Sequence, residues 1–332
     1  MNFDINQLID VIDRDKILII QAHDYPDHDA IASGFGLKLL LEEKGIISSF
    51  MHRGIIESYS LETAINRYNI PIYHIEEDSD LLKKDENIKE KYQIILVDSF
   101  VGNKNVSELN GEVICVIDHH VILQDREVKF KKVCDNIGSC STIMYFFYKQ
   151  ANIEISKEVA SAFLMGIMVD TAFLTRGVSK YDIEAYSSLY FKAENSYISF
   201  LLKNTLSISY LINFKEALNY CEIEDDFCFI PIESKDITPE FLAIIADFFL
   251  SLKEINFVVA LGKHQDRYRL SIRSDSSRYH ASTIIKKAIK GIGYGGGHIH
   301  MGGGTIPIAL FPGVISLKDR FLSAFKEIKE NS

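Results

Sequence analysis

Residues 21–34 read Gln21-Ala22-His23-Asp24-Tyr25-Pro26-Asp27-His28-Asp29-Ala30-Ile31-Ala32-Ser33-Gly34. His23 brings an imidazole, and Asp27 and Asp29 bracket one residue, so an extended backbone turns both carboxylates the same way. A helix cap at Asp29 accounts for one aspartate. It does not account for His23, Asp27 and Asp29 together, whereas a divalent-cation site does. Asp98 closes a later apolar run, Asp118-His119-His120 closes the next, and Asp170 stands among Ile167, Met168, Val169 and Phe173. An unpaired carboxylate in such company is costly, so Asp170 requires a cation, an arginine or a proton. Adjacent histidines on extended backbone point in different directions, which leaves one of His119 and His120 to ligate and the other for substrate or support. Together these residues carry enough oxygen and nitrogen donors for two cations. Hard carboxylates with a few imidazoles suit Mn²⁺, with Mg²⁺ as the alternative, better than a thiolate-selected metal.

The elements that position them follow from the apolar pattern. Lys16-Ile17-Leu18-Ile19-Ile20 reads as a buried strand, and Ile31, Phe35, Leu39 and Leu40 recur at helical spacing after it. The first cluster therefore occupies a strand-to-helix loop, where α/β sheets place ligands. Ile46 to His52, Ile70 to Ile75, Tyr92 to Asp98 and Glu112 to Asp118 are further strands, and Leu61 to Tyr68 is a helix. Strands alternating with helices predict an α/β domain, a mostly parallel sheet with helices on both faces. Helices are expected over Ser139 to Ala151, Ser156 to Phe173 and Tyr181 to Ala193. We read residues 1–193 as a metal-binding domain, 194–209 as a linker and 210–332 as a smaller α/β domain. In the latter, Thr238-Pro239-Glu240 has the form of a helix start. Phe257 to Leu261 and Tyr268 to Arg273 form an antiparallel pair, joined through residues 262–267. Arg273 shares a face with Arg269 and Ser271, and Gly295-Gly296-Gly297-His298 reads as a flexible loop or tight turn, or as backbone that approaches a phosphate closely and offers it N–H groups.

At 332 residues and 47% hydrophobic content the chain has room for two globular domains. No apolar run reaches the length of a membrane span, and the opening residues lack a secretory pattern, so a cytoplasmic location without membrane partners is expected. Five cysteines without a C-x-x-C pair read as small buried groups. A net charge of −10 argues against a protein that coats long duplex nucleic acid. Between Glu254 and Gly304, however, eight lysines and arginines face three acids, a locally positive field suited to a small phosphorylated ligand.

The pattern resembles the DHH phosphoesterase superfamily. His23-x-x-x-Asp27-x-Asp29 is similar to its first motif, Asp98 to its second, Asp118-His119-His120 to its third and Asp170 to its fourth. Gly295-Gly296-Gly297-His298 is similar to the signature of the C-terminal domain found in RecJ-like nucleases and in the nanoRNase and pAp-phosphatase branch. The resemblance implies two Mn²⁺ ions, one held by His23, Asp27 and Asp98 and the other by Asp29, Asp98, His119 and Asp170, with Asp98 bridging. Such a pair can polarise a phosphoryl group and activate water. It further implies that His120 acts at the phosphate or leaving group or orients His119, and that Arg273, Gly295, Gly296, Gly297 and His298 contact substrate. Two positions depart from the family: His28 stands where glycine is common, and Met301-Gly302-Gly303-Gly304 where two alanines and a glycine are common.

The expected activity is hydrolysis of short nucleotides: nanoRNA, linear or cyclic di-adenylate, or 3′,5′-adenosine bisphosphate. The alternatives are a pyrophosphatase or polyphosphatase of the same superfamily, and a nucleotide-sensing module that does not cut. The sequence leaves the oligomeric state open, with a homodimer among the options.

Overall fold

The computed structural model describes residues 2–56, 58–76, 79–82, 90–102, 105–121, 126–203, 206–234, 236–275 and 278–330. The chain divides into two compact units, residues 1–205 and 206–332.

The first unit is built on β1 (Ile17–Gln21), β2 (Ser49–His52), β3 (Ile72–His74), β4 (Tyr92–Val97), β5 (Glu112–Asp118) and β6 (Phe130–Val133). They lie in the order β3-β2-β1-β4-β5-β6, every neighbouring pair parallel. The inner strands are near-continuous Ile, Leu and Val because both their faces are covered. The direction of strand progression reverses between β1 and β4, and a parallel sheet opens its ligand crevice at such a point, beyond the carboxyl ends of the strands. The His23–Asp29 loop leaves β1 there, and Asp98 follows β4 directly.

Among the described residues the helices are α1 (Ile5–Ile9), α2 (His28–Glu43), α3 (Tyr59–Arg67), α4 (Cys140–Ala151), α5 (Lys157–Asp170), α6 (Lys180–Tyr190) and α7 (Asn195–Lys203). All seven contribute to one core cluster with Leu18, Ile20, Phe50, Ile95 and Val97 from the sheet. Among the described residues the opposite face is covered by Ile75, Leu81, Val101, Val106 and Leu109, from a 3-10 turn and loops. Gly34 of α2 permits that helix to lie on the sheet, since a Cβ there would come within 2.1 Å of the Phe50 ring. The segment expected as a linker contains α7, whose Ile198 and Leu201 are buried in the core of the first unit. Apolar residues at helical spacing outweigh the polar composition of that stretch. Asn204 and Thr205, the remainder of the expected hinge next to the division, lie outside the described residues.

The second unit holds α8 (Tyr210–Tyr220), β7 (Glu222–Glu224), β8 (Phe227–Ile232), α9 (Pro239–Leu250), β9 (Phe257–His264), β10 (Arg267–Ser274), α10 (Ala281–Ala288), β11 (Tyr294–Gly297), β12 (Met301–Pro307) and α11 (Val314–Glu330). Its sheet runs β11-β12-β10-β9-β8-β7 and is antiparallel except for β8 with β9. Thr238 caps α9 through the Phe241 N–H, with Pro239 in the first turn, as its sequence predicts. The glycine-rich segment departs from expectation. Gly295, Gly296 and Gly297 form β11 and pair with Gly304, Gly303 and Gly302. Lacking side chains, the two glycine runs can form a ladder close over α10, where a Cβ on Gly295 would strike Ile285 at 2.6 Å.

Candidate metal centre

Asp27 is the cap of α2. Its Oδ1 accepts the N–H groups of Asp29 and Ala30, each at 3.0 Å. This corrects the cap reading of Asp29, which lies inside the first turn and is free of that duty. Asp27 Oδ2 faces His23 Nε2 at 3.9 Å. The loop between them is pinned on two sides. Asp24 accepts the N–H and hydroxyl of Ser107 at 3.0 and 2.6 Å, and Gly54 packs so tightly that a Cβ would lie 1.5 Å from the Asp24 carbonyl oxygen.

Asp98 occupies the centre. Its φ of 53° places it in the left-handed region, which aspartate tolerates better than most residues. Its Oδ2 lies 3.7 Å from His23 Nε2 and its Oδ1 3.4 Å from His119 Nε2. His119 Nε2 also lies 3.1 Å from Asp170 Oδ2 and 3.8 Å from Asp29 Oδ2. Donor atoms of His23, Asp27 and Asp98 fall within 4.8 Å of one another, and so do those of Asp29, Asp98 and His119. Asp170 is the last residue of α5, and three left-handed residues follow it closely, Ala172, Phe173 and Leu174.

The surroundings orient these donors. Asp29 is fully buried and accepts the Cys140 and Ser141 N–H groups at 2.6 and 2.8 Å, at the start of α4. A carboxylate so placed is favoured by the helix N-terminus and keeps further lone pairs for a cation. His119 Nδ1 lies 3.2 Å from the Ile137 carbonyl, which can only accept. The ring is thereby set with Nδ1–H donating and Nε2 turned to the carboxylates, where it holds a proton or, once that is displaced, would ligate a cation. Asp118 has no assigned role in the sequence reading, and the structure supplies one. Its Oδ1 accepts the His119 and His120 N–H groups at 2.8 and 3.2 Å and meets His120 Nδ1 at 2.7 Å. His120 thus points Nε2 outward from a half-exposed ring while His119 points inward. His28 is buried, its Nε2 2.9 Å from Ser60 Oγ, so it ties the starts of α2 and α3 together.

Burial and the neighbouring Asp170 carboxylate push Asp29 up to about 7. Burial and Asp29 hold Asp98 well above the usual carboxylate range, and burial raises Asp170 against the opposing pull of His119. His119 is raised despite burial because Asp170 and Asp98 surround it, whereas burial lowers His23. Several carboxylates crowded out of water repel one another, and cations relieve that repulsion as protons do. Asp98 Oδ1 is buried with no hydrogen-bond partner among the described residues, a lone pair placed for a cation. The donor set fits two hard divalent ions, and the thiol of Cys140, whose N–H donates to Asp29, is buried and held protonated by burial.

In the second unit, Arg273 is held by neighbours of its own domain. Its Nε donates to Asp247 of α9 at 2.9 Å, and one terminal nitrogen to Ser271 Oγ and the Ile272 carbonyl. Helix α9 lies over that face of the sheet and brings Asp247 to it. His298 is exposed in the turn between β11 and β12, its N–H donating to the Met301 carbonyl at 2.8 Å.

Residues 16–167 match the DHH family, N-terminal domain, and residues 224–331 match the DHHA1 domain. The chain belongs to the DHH superfamily of phosphoesterases. An uncharacterized protein of Methanocaldococcus jannaschii is 27% identical over 301 residues, covering 90% of this chain and 59% of that protein. A protein of Streptococcus thermophilus named "Probable manganese-dependent inorganic pyrophosphatase" is 28% identical over 161 residues, 47% of this chain and 49% of that protein. The chain thus spans about half the length of several curated relatives it matches. An exopolyphosphatase-related protein from Bacteroides fragilis shares the fold across 98% of this chain and 96% of its own, with a TM-score of 0.78 and 21% identity. Among the described residues no helix is long and apolar enough to cross a membrane.

Proposed function

We propose that the protein is a manganese-dependent hydrolase of phosphate esters acting on short nucleotides. The observation that carries this reading is the position of Asp98, whose two oxygens face His23 and His119 separately. That arrangement supports two cation positions sharing one carboxylate: His23, Asp27 and Asp98 for one, and Asp29, Asp98, His119 and Asp170 for the other. When bound, such a pair polarises the phosphoryl oxygens and makes water nucleophilic at neutral pH. The chain's own contribution is positioning. Asp118 holds the His120 ring so that Nε2 presents a hydrogen-bonding edge to a phosphoryl or leaving-group oxygen. The starts of α2 and α4 hold Asp27 and Asp29 in place, so ligation costs little reorganisation.

The DHHA1 domain and its local excess of basic residues support a nucleotide over a bare pyrophosphate, with His298 and Arg273 as proposed contacts. Pyrophosphate is the competing substrate, supported by the names of relatives that match the first unit. The test is a panel with Mn²⁺: ApA, longer oligoadenylates, cyclic di-AMP, adenosine 3′,5′-bisphosphate and pyrophosphate, resolved by chromatography. Turnover of one or more nucleotides well above pyrophosphate is expected, and turnover of pyrophosphate alone would replace this reading with the competing one.

A further inference from the structure

Asp182 stands in the first turn of α6 and is fully buried. Its Oδ2 accepts the Ser179 N–H at 2.8 Å and the Ser179 hydroxyl at 2.6 Å, while Ser179 Oγ accepts the Asp182 N–H in return. That reciprocal pair is the cap of α6, and a cap needs nothing more. Yet Oδ2 also accepts the Gly138 N–H at 2.9 Å, and Oδ1 accepts the Thr142 hydroxyl at 2.6 Å, from positions 44 and 40 residues earlier in the chain. These four donors use the lone pairs of both oxygens, so the carboxylate anchors backbone rather than a cation.

The anchored segment, residues 137–142, bears on three of the proposed ligands. The Ile137 carbonyl faces His119 Nδ1 at 3.2 Å. The Cys140 and Ser141 N–H groups donate to Asp29 at 2.6 and 2.8 Å. Between these supports the start of α4 closes on itself, with Ser139 Oγ accepting the Thr142 N–H at 3.1 Å and lying 3.0 Å from the Thr142 hydroxyl. Gly138, at the anchored point, is tightly enclosed. A Cβ there would come within 2.7 Å of Thr171 Cγ2, 2.9 Å of the Gly177 carbonyl oxygen and 3.0 Å of Asp182 Oδ2. Thr171 directly follows Asp170. Asp29, His119 and Asp170 belong, with Asp98, to one proposed cation position. Asp27, a ligand of the other, is held by the start of α2 instead. A segment fixed at Gly138 and Thr142 thus presents a carbonyl to one ligand and two N–H groups to another at set distances, the support on which metal affinity depends.

We propose that Asp182 is a positioning residue for one of the two cations, the ion held by Asp29, Asp98, His119 and Asp170, and acts through the Gly138 N–H and the start of α4. This rests on the two-cation reading above. The test is calorimetric titration of the metal-free protein with Mn²⁺, beside electron paramagnetic resonance, which separates a spin-coupled pair from an isolated ion. Wild type should bind both ions and give the coupled spectrum. Asp182→Ala should bind one ion as wild type does and the other about 10- to 100-fold more weakly, the cost of losing a group that orients ligands. Its spectrum should be that of an isolated ion where wild type is coupled. Gly138→Ala, which leaves Asp182 in place and crowds Thr171, should do the same. Asp182→Asn keeps an oxygen for Gly138 and Ser179 and turns its amide to the Thr142 hydroxyl, so it should restore the coupled pair. Wild-type affinity for both ions in Asp182→Ala, equal weakening of both ions in Gly138→Ala, or an asparagine variant no better than alanine would overturn the proposal. If wild type binds one ion or none, the two-cation reading fails by itself. Amide hydrogen exchange in the metal-free protein then decides whether Asp182 positions Asp29, read in Asp182→Ala, or in Gly138→Ala should the former not fold. Exchange at Cys140 and Ser141 faster by about tenfold or more, with the β4 amides unchanged, upholds the role, and exchange equal to wild type rejects it.

Discussion

Gly166 and Asp29 touch. A Cβ on Gly166, in the middle of α5, would stand 2.8 Å from Asp29 Oδ1 and 2.3 Å from Ser141 Oγ. The helix that ends in Asp170 can approach the start of α4 only because this position has no side chain. Alanine is the better helix former by about 1 kcal/mol, so Gly166→Ala sets a local gain against displacement of a ligand. We expect the variant to remain folded by circular dichroism but to bind Mn²⁺ at least about tenfold more weakly, the scale of a disturbed ligand support. Manganese affinity equal to wild type, measured by calorimetry, would show that Asp29 does not depend on this contact.

Asp98→Asn removes the charge shared by the two proposed cation positions while keeping the side chain's shape. Turnover with Mn²⁺ should fall below detection, and bound manganese per chain should fall with it. Far-ultraviolet circular dichroism should match wild type. Substantial activity in this variant would refute the shared-carboxylate arrangement.

Asp118→Asn leaves every proposed ligand in place and alters only the acceptor that orients His120 and the 119–120 backbone. A loss of about 10- to 100-fold in kcat is expected, the range for residues that orient functional groups. Manganese content should change little, which separates this variant from Asp98→Asn.

The metal-free protein should lose stability as pH rises. Asp29 is raised from 3.8 to about 7 in the folded chain, so between those values the folded state keeps a proton that the unfolded state has released. Stability then falls with increasing pH across that window. Asp98, Asp170 and His119, all raised, act with the same sign. His23, His28 and His52, lowered chiefly by burial, oppose them. Manganese must displace these protons, so its stabilising effect grows as they leave. Melting temperatures with EDTA and with Mn²⁺ should diverge between pH 5 and pH 7.5, and parallel curves would contradict the proton–metal competition.

Much of this organisation is written locally. Alternating apolar runs specify a parallel sheet, and a polar residue at the end of such a run must emerge at its carboxyl edge, so His23, Asp98 and the 118–120 triplet could be placed from periodicity. Ser139, Ser156 and Thr238 announce helix starts because capping is a contact over three residues. What depends on separation along the chain was not legible. The assignment of Asp27 rather than Asp29 to the cap depends on Cys140 and Ser141, 111 and 112 residues away, claiming Asp29. Alternation places Arg273 on a face with Arg269 and Ser271, and only the packing of α9 over that face brings Asp247 to it. The pairing of one glycine run with the other, and of His52 with His74, is likewise a matter of strand order. Periodicity reports which face a residue takes, whereas its partner is chosen by chain closure over long loops and by the packing of one layer on the next.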